Sequence, residues 1–413
     1  KFNLSAIVLD TYMGQAAAQS ALEAAGKSFS QAMLLLLFAF VFNLLLVKFQ
    51  KYTKMRAVFT TGHIQTQQAT IAFWFIFTCF PQLGDWPLML IMSVLLGLYW
   101  AVGSNLTVEV AQNLTDGAGF CVAHQQMFGI AIWSAIGYKF FKEKDGKVKR
   151  LEDYELPGWL SIFNEDMVST ALLMTFFFAV ILLVLGKDYL VSAGMLGEGK
   201  SFLFYILDTS LAFGVRTFVG ELTASFQGIQ SKLLPGAIVG VDCAAGYGFG
   251  SENAVTFGFM FGALGQFLAI IGLILFKSPV LAIAGFVPVF FDNATIAIYV
   301  NAKAGAKAAM VTTFFSGILQ VVCSVIAAMA FTYNGIGVVE FGGYMAMFAW
   351  AVIWPIFTFI MKYLSYIGVA IVILILVMIP QLQYKKDPEG YFLCVSDYEA
   401  YKEHMKKKEA AAL

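Results

Sequence analysis

The sequence predicts an all-α, polytopic membrane protein. Of its 413 residues, 60% are hydrophobic and only 13% are charged, whereas soluble globular domains carry about 25% charged residues. Several apolar runs are long enough to cross a bilayer as a helix, which takes about 20 residues. These runs lack the alternation of apolar and polar residues that is typical of membrane-barrel strands, so helical spans are favoured.

Four apolar runs are the predicted spans. They are residues 29–49, 169–186, 311–331 and 366–380, the last extended towards Met361. The strongest basic clusters are the loop at 139–150 and the tail at 385–413, so both are predicted to face the cytoplasm. The chain begins with Lys1 and its first span only near residue 29, and we therefore expect upstream residues to precede it; no signal peptide is visible.

A polar pair followed by the same four residues occurs twice, as QQATIA at 67–72 and DNATIA at 292–297. About fifty residues before each lies a second landmark, an aspartate after an apolar residue, at Asp10 and at Asp242. Two landmarks in the same order indicate two homologous halves, about 1–165 and 166–384. Inverted repeats of this kind place a transporter's substrate site at their interface and build it with broken helices.

The apolar segment around Asp242 is followed by three closely spaced glycines, at 246, 248 and 250. Glycines at these positions would break a helix, and irregular backbone is tolerated in a membrane only where protein or a water-filled cavity covers it. A re-entrant hairpin is the favoured interpretation, and a loop between two spans is the alternative. Asp10 and Asp242 could each face the cavity or cap a helix N-terminus.

Polar side chains inside membrane segments are candidates for function. The richest cluster, LTDGAGFCVAHQQMFG at 114–129, contains Asp116, His124, Gln125 and Gln126. Imidazole and amide groups both donate and accept hydrogen bonds, which suits a ligand rich in hydroxyls and carbonyls. The chain has three histidines without ligand spacing, so the cluster matches a metal site poorly. Five scattered cysteines predict neither a disulfide framework nor a zinc site.

The two polar pairs are predicted to differ in role. Gln67 is predicted to contact the ligand, whereas Gln68 and Asn293 are predicted to form hydrogen bonds between packed helices. Asp292 replaces Gln67 in the second repeat, and its carboxylate is expected to lie behind the site, capping a helix or bonding to the surroundings of Asn293. The chain lacks the GxxxxGK[ST] loop, which excludes ATP hydrolysis by the P-loop route.

Several motifs together resemble one family. They are DTY at 10–12, TGHIQTQQA at 61–69, LYWAVGSN at 98–105, TDGAGF at 115–120, HQQ at 124–126, LPGWLSIF at 156–163, ELTASFQGIQSKLLPGAIVGVDCAA at 221–245, NAVTFGFMFGALGQ at 253–266 and GFVPVFFDNATIAIY at 285–299. In this order they resemble the ascorbate-specific permease (EIIC component) of the bacterial phosphoenolpyruvate-dependent phosphotransferase system. The resemblance runs from about residue 8 to about residue 380. The tail after Tyr384 matches no motif of that family.

The resemblance implies a multi-pass homodimer of the bacterial inner membrane, with a core domain that holds the substrate and a scaffold domain that makes the dimer contact. Elevator motion of the core would carry L-ascorbate inwards. The cytoplasmic EIIB component, supplied by EIIA, would phosphorylate it through its own cysteine, so no catalytic residue, cofactor or metal is expected on this chain. The motifs carry over six substrate-binding residues: Thr11, Tyr12, Gln67, His124, Gln125 and Asp242. The family's first spans, which contain a further binding segment, would precede Lys1.

Two other functions fit the residues. A secondary transporter of a sugar acid, driven by protons or sodium, would use Asp242 as its coupling acid. An intramembrane enzyme would use His124 as a base, but the sequence offers no matching nucleophile or metal partner. Phosphorylation-coupled uptake of ascorbate is the leading interpretation.

Overall fold

The structure is a computed structural model. It describes residues 6–9, 18, 22–23, 26–141, 149–154, 236–284, 288–333 and 347–412. The predicted span at 169–186, the boundary between the predicted halves, and the candidates Asp10, Thr11 and Tyr12 lie outside the described residues.

The described part of the chain is mostly helical. Its helices are α1 (Phe29–Lys48), α2 (Gln50–Thr53), α3 (Gly62–Cys79), α4 (Asp85–Thr115), α5 (Met127–Phe141), α6 (Ala244–Tyr247), α7 (Glu252–Leu275), α8 (Asn293–Ala304), α9 (Ala306–Tyr333), α10 (Trp354–Lys386), α11 (Pro388–Ser396) and α12 (Tyr398–Ala412). One π-helical turn, Pro288–Asp292, leads into α8, and another, Ala349–Ile353, leads into α10.

Five helices in the described ranges are long and apolar enough to cross a membrane. They are α1, α4, α7, the Ala306–Met329 part of α9, and Ala349–Lys386. The predicted spans at 29–49, 311–331 and 366–380 are thereby confirmed. Helix α1 begins at a capping box, in which the Ser28 hydroxyl accepts from the Gln31 N–H and the Gln31 side chain accepts from the Ser28 N–H.

Helices α7 and α9 cross with their backbones in direct contact. A Cβ atom added at Gly265 would lie 2.1 Å from the Phe314 carbonyl oxygen, and one added at Gly317 would lie 2.2 Å from the Gly262 carbonyl oxygen. In a membrane, small residues drive helix association because they allow this close approach.

The described residues include five short strands that were not predicted: β1 (Ala6–Leu9), β2 (Ala57–Phe59), β3 (Phe120–Val122), β4 (Ile238–Val241) and β5 (Leu281–Ala284). They form two parallel sheets, β1–β5 and β2–β4–β3. The pairing satisfies backbone N–H and C=O groups that would otherwise be exposed to a medium without hydrogen-bond partners. The all-α prediction therefore holds for the spans, and the breaks between them are bound together by strands.

Candidate substrate site

The three-stranded sheet gathers polar side chains at one edge. Strand β2 leads into α3, whose first turn carries His63 and whose second carries Gln67. Strand β3 is followed by His124 and Gln125, and strand β4 by Asp242. The strands are parallel, so their carboxyl ends meet at the same edge, which is where ligands bind in open parallel sheets.

The carboxyl ends of the strands are held together by the central strand, β4. Thr60 donates its N–H and its hydroxyl to the Gly240 carbonyl, at 3.0 and 2.7 Å, and the Ala123 N–H donates to the Val241 carbonyl at 2.7 Å. A Cβ atom at Gly240 would lie 2.7 Å from Ala123 Cβ and 2.8 Å from the Val58 carbonyl oxygen. Only glycine fits between the outer strands here, which fixes the spacing of the side chains that follow.

Asp242 lies between two histidines. Its Oδ2 is 3.2 Å from His63 Nε2 and 4.0 Å from His124 Nε2. Its Oδ1 accepts a hydrogen bond from the Ala244 N–H at 2.9 Å, at the start of the short helix α6. The predicted helix-capping role is not observed, because the N-cap residue of α6 is Cys243 and not Asp242. The other oxygen of Asp242 faces the histidines. His63 is half-exposed, whereas Asp242 and His124 are buried.

A chain of amides orients Gln125 and Gln67. Gln125 Nε2 lies 3.4 Å from Gln67 Oε1, and Gln125 Oε1 accepts from Gln68 Nε2 at 2.8 Å. The Trp100 indole N–H of α4 donates to Gln68 Oε1. The predicted role of Gln68 in bonding between helices is confirmed, and through it α3 and α4 fix the amide of Gln125.

On the opposite side, His124 is fixed by its neighbour. His124 Nδ1 donates to Gln126 Oε1, and Gln126 Nε2 donates to Thr295 Oγ1 of α8 at 3.0 Å. With Nδ1 donating to Gln126, Nε2 is directed to the Asp242 side. Nε2 can accept a hydrogen bond from a ligand when the ring is neutral and can donate one when the ring is protonated. The site therefore offers imidazole, amide and carboxylate groups to a polar ligand.

Comparison with known proteins assigns the family. A family model described as "PTS system sugar-specific permease component" matches residues 1–343.

The chain belongs to this family.

A Mycoplasma pneumoniae protein described as "Ascorbate-specific PTS system EIIC component" is 32% identical to this chain over 331 residues. The alignment covers 70% of this chain and 49% of the relative, so the chain spans about half the length of that curated protein. The resemblance read from the motifs is confirmed. With five apolar helices in the described residues, this member of the family is a multi-pass protein of the bacterial inner membrane.

The structure brings together four of the six residues predicted to bind the substrate: Gln67, His124, Gln125 and Asp242. Thr11 and Tyr12 lie outside the described residues. Asp116, which the sequence grouped with His124, is exposed at the carboxyl end of α4 and forms an ion pair with Lys402 at 2.9 Å. Strand β3 separates it from His124, so it does not belong to the site.

His63 was not among the binding residues predicted from the sequence. It precedes Gln67 by four positions, and residues four apart lie on the same face of a helix. That spacing was the available signal, but a lone histidine at a helix start is uninformative until Asp242 is placed beside it.

Asp292 lies among the side chains that surround Asn293, as expected. It is fully buried and accepts a hydrogen bond from Gln320 Nε2, which also lies 3.3 Å from Asn293 Oδ1. Asn293 in turn bonds to Gln320 of α9, which confirms its predicted role between helices. The side chain of Asp292 does not cap α8, so of its two expected roles only the bonding role is observed.

Proposed function

We propose that this permease is the EIIC component that carries L-ascorbate into the cell for phosphorylation by its cytoplasmic partners. The proposal is supported most directly by the polar side chains that converge at the carboxyl edge of one sheet. They are His63, Gln67, His124, Gln125 and Asp242. The family match supports a sugar permease, and the ascorbate-specific description of the relative supports ascorbate as the substrate.

The chemistry of the site suits ascorbate, a monoanion that carries several hydroxyl groups. Amide and imidazole groups of Gln67, Gln125 and His124 can donate to its oxygens. Asp242 would repel an anion, but its Oδ2 lies 3.2 Å from His63 Nε2, which can donate a hydrogen bond to it and, when the imidazole is protonated, offset its charge. Its carboxylate can then accept hydrogen bonds from ligand hydroxyls, and such charge-assisted bonds are stronger than neutral ones.

The proposal includes a transporter unit over residues 1–384 made of two inverted-repeat halves, about 1–165 and 166–384. The strand pairing supports it. Strand β1, which precedes the first-half landmark Asp10, pairs with β5, which precedes the second-half DNATIA. Strand β4, which precedes Asp242, pairs with β2, which precedes QQATIA. If a two-fold axis relates the two halves, β1 corresponds to β4 and β5 corresponds to β2. The β1–β5 pair is then equivalent to the β4–β2 pair.

In this proposal the permease works as a homodimer, with a core domain that moves by an elevator mechanism against a scaffold domain. The phosphoryl group is carried by the cysteine of EIIB, which EIIA supplies. Transport in right-side-out vesicles tests the coupling. Phosphorylated ascorbate should accumulate only when the soluble partners and phosphoenolpyruvate are inside. Accumulation of free ascorbate that collapses with the ion gradient would instead identify an ion-coupled secondary transporter.

Binding to the purified full-length protein tests the site. Radiolabelled ascorbate should bind and be displaced by ascorbate better than by other sugar acids. Gln67→Ala should reduce binding strongly, whereas Asp292→Asn should alter stability or transport rate and leave binding close to that of the wild type. Loss of binding in Asp292→Asn but not in Gln67→Ala would reverse the two assignments.

The cysteines of the permease should be dispensable for transport. Cys79, Cys121, Cys243 and Cys394 are buried, and burial raises the pKa of the Cys394 thiol to about 12, far from the range in which a thiolate forms. A cysteine-free variant should therefore transport ascorbate with the soluble partners present. Cys243, which is packed beside Asp242, is where a partial loss is expected. Complete loss of phosphoryl transfer in a folded cysteine-free protein would indicate a covalent intermediate on this chain.

Zinc should inhibit ascorbate binding. The ligand atoms of His63, His124 and Asp242 lie within 4.8 Å of one another, and these atom types are the ones that Zn²⁺ binds. Added Zn²⁺ should displace radiolabelled ascorbate, and a chelator should restore binding. His63→Ala should raise the Zn²⁺ concentration needed for half-inhibition, whereas His404→Ala, which changes a histidine in the tail, should not. Equal inhibition of both variants would place the metal elsewhere.

A further inference from the structure

The part of the tail that follows α10, residues 387–412, forms two helices, α11 and α12. The Asp387 side chain caps α11 by accepting from the Gly390 N–H at 3.1 Å, and it also lies 2.9 Å from both His404 Nε2 and Lys408 Nζ of α12. Burial alone would raise the pKa of Asp387, but the hydrogen bonds from Lys408, Gly390 and His404 hold it below its usual value. The two helices are therefore tied to each other.

The first attachment of the tail to the rest of the protein is at Arg56, the residue directly before β2. Arg56 is 3% exposed, and its guanidinium lies 3.6 Å from the centre of the Tyr391 ring. It donates to the Tyr391 carbonyl and, through Nε, to Asn105 Oδ1 of α4 at 3.0 Å. A buried cation over an aromatic face is held more firmly than an exposed one.

The Tyr391 hydroxyl completes this attachment. It donates to the Lys54 carbonyl and accepts from Asn105 Nδ2 at 2.8 Å. The Arg56 carbonyl accepts from the Ile238 N–H at 2.7 Å, which is where β2 and β4 begin to pair. A single tail residue thus fixes the start of the strand that leads to His63 and Gln67.

The second attachment is at the turn before β3. Lys402 pairs with Asp116 at 2.9 Å, and the Tyr398 hydroxyl donates to Asn113 Oδ1 at 3.1 Å. The Tyr398 ring lies against Gly117, where an added Cβ would be 2.7 Å from the ring and where φ is +87°. This turn leads through β3 to His124 and Gln125.

We propose that the tail is a positioning element for the substrate site, with Tyr391 and Tyr398 as its positioning residues. Strands β2 and β3 have three residues each, and strands this short have too few rungs to be stable alone. Tyr391 holds the entrance to β2 and Tyr398 the entrance to β3, so the tail sets the spacing between the two sides of the site. The tail lies beyond the part of the chain that the family model matches, and its effect on ligand affinity rests on the proposed function.

The test compares full-length Tyr391→Leu, Tyr391→Phe and Tyr398→Ala with Lys407→Ala, a change at an exposed position of α12. Ascorbate affinity, thermal stability and amide hydrogen exchange are measured for each. Tyr391→Leu should weaken binding at least about fivefold and speed exchange at 57–61. Tyr398→Ala should speed exchange at 120–124 instead. Tyr391→Phe, which keeps the ring over Arg56, should fall between the wild type and Tyr391→Leu, and Lys407→Ala should behave as the wild type.

Unchanged affinity and exchange in a folded Tyr391→Leu protein would overturn the proposal, as would a lower melting temperature without either change. If Tyr391→Leu does not fold, the same criteria apply to Tyr391→Phe and Tyr398→Ala. If the wild-type protein does not bind ascorbate but exchange at β2 and β3 is faster in the tyrosine variants than in the wild type, positioning by the tail is supported and the proposed substrate is rejected.

Discussion

His124→Ala should weaken ascorbate binding about 5- to 150-fold and leave the protein folded. The substitution removes the imidazole beside Asp242 and also the hydrogen bond that fixes Gln126. Loss of a hydrogen bond that leaves a ligand group unpaired costs about 1–3 kcal/mol of binding free energy, which corresponds to a loss of affinity of about 5- to 150-fold. Gln125→Ala should fall in the same range, because its amide is held towards Gln67 by Gln68.

Equilibrium binding of radiolabelled ascorbate to monodisperse protein measures this effect. Lys407→Ala is the control, since Lys407 lies at an exposed position of α12. Wild-type affinity in a monodisperse His124→Ala protein would contradict the assignment of this histidine to the site.

Gly317→Ala and Gly265→Ala should each strongly destabilise the permease. The added methyl group would meet backbone oxygens at 2.2 and 2.1 Å, and backbone cannot move aside as a flexible side chain can. Overpacking of a buried contact costs about 1–3 kcal/mol and occasionally more, and contact with backbone places these changes at the upper end. Thermal unfolding in detergent should show a clearly lower midpoint for both variants.

Gly272→Ala is the control for this comparison, because it lies on α7 like Gly265 but a Cβ there meets no atom within 4 Å. Alanine is favoured over glycine inside a helix by about 1 kcal/mol, so this variant should be as stable as the wild type or more so. Equal loss of stability at positions 272 and 317 would show that the α7–α9 crossing is not tight.

The spans were predictable because they depend on composition over about twenty residues, which the sequence displays directly. The same is true of the repeated polar pairs and of the grouping of His124 with Gln125, which are neighbours in the chain. The strands were not predictable, because three or four residues are too few for an alternating pattern to be recognised.

Membership of the site depended on contacts between distant segments. Asp116 is eight residues from His124, yet it pairs with Lys402 in the tail. His63 lies far from Asp242 in sequence, yet their side chains are 3.2 Å apart. Closeness in sequence therefore did not predict which of these residues lie close together in space. The turn before β3 and the parallel pairing of β2 with β4 decide which side chains meet.

By itself the sequence determined the membrane class, the confirmed spans, the family and the chemical character of the candidate residues. Only the tertiary structure decided that His63 lies in the candidate site beside Asp242, that Asp116 pairs with Lys402 instead, and that Arg56 contacts Tyr391 across 335 positions of the chain. The physical reason is that hydrophobicity is a property of a segment, whereas the site arises from hydrogen bonds between parallel strands that are contributed by separate segments.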